Sequence, residues 1–97
     1  MPRGFAGSKK DTTQPAIETK FRQAGWSVCD THALGVEAPD MFVAKRGLTI
    51  AIECKTGKAK RKPHQVDWAI EWRGEYLWGN NPLYLLEQAE NILEAKE

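Results

Sequence analysis

The sequence predicts a single α/β domain in which helices flank a small mixed four-stranded sheet, in the order αβββαβα. Three observations predict it. An apolar recurrence of helical period comes early in the chain. Two alternating runs, 40–45 and 48–55, then surround Arg46-Gly47, and a strand-length run at 75–78 stands between two further helical patterns. A length of 97 residues leaves room for one core only.

The elements follow in order. Residues 1–11 form a basic, Gly-containing stretch without an apolar core, so they read as a disordered N-terminal arm and not as a signal peptide. The domain spans 12–97. The first helix runs from about Gln14 to Ala24: Thr12 or Thr13 can cap it, Pro15 fits its first turn, and Ile17, Phe21 and Ala24 form its apolar stripe. Gly25 ends it. Trp26 to Asp30 is a short strand, and His32 to Ala38 a loop.

Asp40 to Lys45 and Leu48 to Lys55 form a hairpin. Met41 and Val43 share one face with Ile50, Ile52 and Cys54; Asp40, Phe42, Thr49, Ala51, Glu53 and Lys55 share the other. A two-residue turn pairs Lys45 with Leu48, and counting back sets Asp40 opposite or diagonal to Glu53. Thr56 to Lys62 is a basic loop. Pro63 opens a helix to about Arg73, with Gln65, Trp68, Ala69 and Trp72 on one side. Glu75 to Trp78 is the fourth strand, parallel to the third through a helical crossover. Asn81 caps a last helix that buries Leu85, Leu86, Ala89, Ile92 and Leu93 and turns Glu87, Glu90 and Glu94 to water.

The net charge of +1 is unevenly spread. Lys55, Lys58, Lys60, Arg61 and Lys62 fall in one stretch without an acidic residue, and four glutamates crowd the end of the chain. Cys29 and Cys54 lack metal-ligand spacing and are expected as buried free thiols in a reducing, cytoplasmic setting. No apolar run reaches membrane-spanning length, so no membrane partner is expected.

Asp40, Glu53 and Lys55 are the residues with chemistry to explain. Two carboxylates facing each other on a sheet repel. Either Lys55 alone neutralises them, or Asp40 and Glu53 hold a divalent cation through oxygen ligands; Mg²⁺ suits one or two carboxylates together with substrate phosphate. Lys55 would then serve an attacking water or charge developing on phosphorus. The basic loop with Lys58, Lys60, Arg61 and Lys62 would meet a phosphate backbone beside that site, unless it is simply solvated. Glu18 stands beside the first helix's apolar stripe, where an i, i+4 bridge to Arg22 is the plain alternative. Gln65 could hold a water or a phosphate oxygen, and His32 and His64 fall near groove positions. Trp68 and Trp72 read as core.

With Glu18, Pro39-Asp40, Glu53-Cys54-Lys55, and Gln65 with Trp68 after a Gly-Lys-rich loop, the chain resembles the PD-(D/E)xK nuclease superfamily, and within it the small stand-alone VRR-NUC type. The resemblance spans about Ile17 to Leu93. It implies a restriction-endonuclease-like sheet and a Mg²⁺- or Mn²⁺-dependent DNA endonuclease without an organic cofactor. Asp40 and Glu53 would bind metal, Glu18 would support it through water, Lys55 would serve the attacking water and Gln65 would line the site. Members of this type are often phage-borne and similar to Holliday-junction resolvases, which implies a homodimer acting on branched DNA in a bacterial or phage-infected cell. The arginine-glycine segment common before the Pro-Asp is replaced here by Leu34-Gly35-Val36-Glu37-Ala38. A module that binds nucleic acid on the same fold without chemistry is the alternative.

Overall fold

In a computed structural model of the chain, which describes residues 13–31, 39–54 and 71–97, the elements are α1 (Thr13–Gln23), β1 (Ser27–Asp30), β2 (Met41–Lys45), β3 (Leu48–Cys54), β4 (Glu75–Gly79) and α2 (Pro82–Lys96). The N-terminal arm, the loop at 32–38, the basic loop and nearly all of the helix expected from Pro63 lie outside the described residues. Glu71 is helical, whereas Trp72 and Arg73 have left the helix. Trp72 donates its indole N–H to the Glu75 carbonyl at 2.8 Å, which turns the chain toward β4.

The sheet order is β1-β2-β3-β4. β1, β2 and β3 are antiparallel in sequence, and β3 and β4 are parallel, so the sheet is mixed as expected. The hairpin register is the counted one, with Lys45 opposite Leu48 and Met41 opposite Ile52. Arg46 and Gly47 both take positive φ, 52° and 83°, the backbone of a type I′ turn whose twist matches the strands it joins.

Alternation divides the sheet into two faces. Met41, Val43, Ile50, Ile52 and Cys54 pack with Ile17 and Phe21 of α1 and with Leu85, Ala89 and Leu93 of α2 in one core. Burying each large aliphatic or aromatic side chain is worth about 1.5–3 kcal/mol, so this layer contributes a large favourable free energy. The register sets Cys29, Phe42, Ala51 and Tyr76 across the opposite face. There the Trp72 ring packs on Phe42, with centroids 5.7 Å apart.

α1 ends in a Schellman motif. The Trp26 amide donates to the Phe21 carbonyl at 3.0 Å and the Gly25 amide to the Arg22 carbonyl at 3.1 Å, with Gly25 at φ 90°. The Phe21 and Trp26 rings meet edge to face at 5.6 Å, the apolar contact that accompanies this ending. Trp26 therefore closes the helix, and β1 begins one residue later than expected. At the start of α2, Asn81 Oδ1 accepts the Tyr84 amide at 2.9 Å, and Pro82 takes the first turn.

Two expectations about burial need correction. Cys29 is exposed, because it lies on an edge strand and faces away from the helical layer; only Cys54 is buried. Glu90 does not simply face water. It accepts the indole N–H of buried Trp26 at 2.8 Å and stands 3.6 Å from the Lys45 ammonium, which itself donates to the Ala24 carbonyl at 2.9 Å. Burial of the Trp26 ring brings a polar N–H with it, and Glu90 supplies the acceptor.

Candidate active site

The site region is the end of the sheet away from the hairpin turn. There β2 begins, β3 ends and the first turns of α1 pass close by. Pro39 has no amide to give to a ladder, so the regular pairing of β2 starts only at Met41. Asp40 sits in a bend just before it and not within the strand as expected. Its carboxylate takes over where the ladder stops: Oδ2 accepts the Cys54 amide at 2.6 Å. A backbone donor at the end of β3 is thus satisfied by a charged acceptor, a stronger bond than a neutral pair. Two bonds from Thr31 fix the bend from the other side. The Thr31 amide donates to the Asp40 carbonyl at 3.1 Å, and the Thr31 hydroxyl donates to the Pro39 carbonyl.

Glu53 precedes Cys54 on β3 and shares the face of Ala51 and Phe42. Continuing the register by one position sets it against Asp40, and on its other side it pairs with Trp78 of β4. The residue is 2% exposed. Carboxylates are rarely buried that far, since removing one from water costs several kcal/mol before compensation.

Glu18 approaches from α1 and is also buried, with its side chain 7% exposed. Its Oε1 accepts from Arg22 at 3.4 Å, the expected i, i+4 bridge. Its Oε2 accepts from Gln14 Nε2 at 2.9 Å. The same Nε2 reaches the main-chain oxygen of Asp40 at 3.3 Å. Gln14 is 2% exposed and ties the glutamate of α1 to the bend that carries Asp40. Sequence reasoning passed over Gln14, but a signal was present: residues 14, 17, 18 and 21 recur at i, i+3, i+4 and i+7, so Gln14 belongs to the buried stripe.

The structure therefore brings Asp40 and Glu53 to adjoining positions at one sheet end and links Glu18 to the Asp40 main chain. Among the described residues it does not gather three or more His, Cys, Asp or Glu side chains into a group that could hold a metal ion. Lys55, Gln65, Lys58, Lys60, Arg61 and Lys62, and with them His32, His64 and Trp68, lie outside the described residues. A shallow cavity lined by Leu48, Thr49, Leu93 and Lys96 lies at the hairpin-turn end, remote from Asp40 and Glu53. Among the described residues no helix is long and apolar enough to cross a membrane.

No family model, no curated protein and no solved structure matches the chain.

Proposed function

We propose that the protein is a divalent-metal-dependent DNA endonuclease of the PD-(D/E)xK type, with its active site at the β2–β3 sheet end. One observation carries the reading: Glu53 is nearly buried on the strand position next to the amide held by the Asp40 carboxylate. A buried acidic residue at a sheet position adjoining another is costly unless positive charge answers it, and a bound divalent cation is one group that supplies that charge. The αβββ…βα order and the β3–β4 parallel pairing fit a restriction-endonuclease-like sheet.

The donor chemistry fits the metal. Asp40 and Glu53 offer hard carboxylate oxygens, and a carboxylate that accepts one amide retains further lone pairs. Asp40 and Glu53 would hold Mg²⁺ or Mn²⁺ directly, with Glu18 acting through water. When bound, the ion supplies positive charge against the phosphate oxygens. Hydrolysis then adds water across a P–O bond of the DNA backbone. Lys55, two positions after Glu53, orients that water or stabilises charge on phosphorus, and Gln65 lines the site. Lys58, Lys60, Arg61 and Lys62 contact the backbone of the incoming DNA.

We place the activity on branched DNA and the working form as a homodimer, in which two sites address two strands. Leu83 and Tyr84, 60% and 52% exposed on the first turn of α2, offer apolar surface for a second copy.

The test is cleavage of a labelled four-way junction and of a linear duplex with Mg²⁺, Mn²⁺ or EDTA, alongside Asp40→Asn. Metal-dependent cleavage lost in Asp40→Asn is expected. Cleavage that survives EDTA or the substitution sinks the metal mechanism, and binding without cutting under every condition leaves a non-catalytic binding module.

A further inference from the structure

We infer that Gln14 is a positioning residue of this site: its side-chain amide fixes Glu18 relative to Asp40, and it acts on metal use through Glu18. The inference rests on the nuclease reading above and deepens it.

The geometry is specific about chemistry. Both neighbours of Gln14 Nε2, the Glu18 carboxylate at 2.9 Å and the Asp40 carbonyl at 3.3 Å, are acceptors only. An amide nitrogen has two hydrogens, and both can be used here. The amide oxygen could not stand in the same place, nor could a glutamate, since each would set lone pairs against lone pairs. Gln14 is 2% exposed, so water is a poor substitute for the donors it provides.

The link is also directional. Gln14 and Glu18 are one turn apart on α1, while Asp40 is 26 positions from Gln14 and on another element. A helix can hold its own i, i+4 pair without help. The additional bond to the Asp40 main chain couples the angle of α1 to the bend that aims the Asp40 carboxylate. Arg22 pulls on the other oxygen of Glu18 from a side chain that is 55% exposed, so it is a looser tether than Gln14. Without the Gln14 amide, Glu18 loses the bond that joins it to the Asp40 main chain.

Gln14→Met is the variant to test, because it keeps length and volume and removes both donors. Two measurements are needed: Mn²⁺ affinity of the DNA-free protein by calorimetry, and the Mn²⁺ concentration giving half-maximal junction cleavage. The expected result is a roughly tenfold weakening in both, with the rate at saturating Mn²⁺ within about threefold of the parent. Because Gln14 acts through Glu18, the same change in a Glu18→Gln background should add less than twofold. A lower melting point with unchanged Mn²⁺ affinity and half-saturation makes Gln14 a packing residue and overturns the inference, as does full additivity with Glu18→Gln. If Gln14→Met does not fold, Gln14→Asn takes its place, since it keeps an amide but falls short by one methylene. A parent protein that neither binds Mn²⁺ nor cleaves overturns the nuclease reading itself, an outcome visible before any variant is made.

Discussion

The Asp40 carboxylate accepts the Cys54 amide at 2.6 Å, so one side chain both ends the β2–β3 ladder and stands at the proposed site. These two duties separate on substitution. Asp40→Asn keeps an oxygen that can accept the amide but loses the charge, whereas Asp40→Ala leaves the N–H of buried Cys54 without it. Asp40→Ala should cost about 1–3 kcal/mol and Asp40→Asn less than half of that, measured by urea unfolding. Both should lose cleavage by at least 100-fold. Equal stability losses in the two variants would mean that the amide bond matters little.

On the proposed reading Mn²⁺ should stabilise the folded protein, because the ion would bind carboxylates that only the folded chain brings together. At 100 times the dissociation constant the gain is about 2.7 kcal/mol. In a domain of this size that raises the melting temperature by roughly 10–20 °C. Glu53→Gln should abolish the increment while melting cooperatively. A rise of the same size in Glu53→Gln would move the metal elsewhere.

The hairpin was the most legible part of the chain. A two-residue turn and strict alternation fix a register by counting, and Lys45 opposite Leu48 follows directly. The same counting set Asp40 against Glu53 but treated Asp40 as a strand residue. It could not show that Pro39 would delay the ladder and that the carboxylate would replace a ladder bond. The interior polar links were harder to read. Gln14 lies on the apolar stripe of α1, yet its partners Glu18 and Asp40 are revealed only when α1 docks at the β2 end. Glu90 and Trp26 are 64 positions apart, and no local pattern announces their bond. Cys29 is a free thiol as its spacing implies but an exposed one, because cysteine spacing does not show whether anything covers a face at a sheet edge.

Glu90→Ala tests the Trp26 link. It removes the acceptor from an indole N–H on a ring that is 3% exposed, and it removes the counter-charge of Lys45. The expected loss is about 1–3 kcal/mol in urea unfolding, with a change in Trp fluorescence, while Glu90→Gln retains most of the stability through its amide oxygen. Neither should alter the cleavage rate, because the contact lies at the α1 C-terminus, away from Asp40. A loss of cleavage without a loss of stability would contradict this separation.

Arg46 offers a gain. It holds φ 52°, a region that most L residues disfavour and that Gly and Asn tolerate best. Its paired bonds to Glu97, at 2.8 and 3.1 Å, are exposed and so worth within about 1 kcal/mol. Arg46→Asn should therefore be neutral to stabilising, by up to about 1 kcal/mol, as read from the melting temperature. A clear destabilisation would show that the Glu97 pair outweighs the turn strain.

The basic stretch gives the test of DNA approach. Each phosphate contact made by a lysine or arginine releases counterions, so the slope of log affinity against log salt steepens by about 0.9 per contact. Replacing Lys58, Lys60, Arg61 and Lys62 by glutamine should flatten that slope by about 3–4 if all four touch backbone, with proportionate weakening on junction and linear DNA alike. Cleavage at saturating DNA should change far less than the concentration needed to reach it, since none of the four is assigned to the reacting phosphate. Lys55→Ala should do the reverse: it should hardly move the salt slope but collapse the saturated rate. If the four substitutions leave the slope intact, the stretch is a solvated loop and the proposed phosphate contacts are not made there.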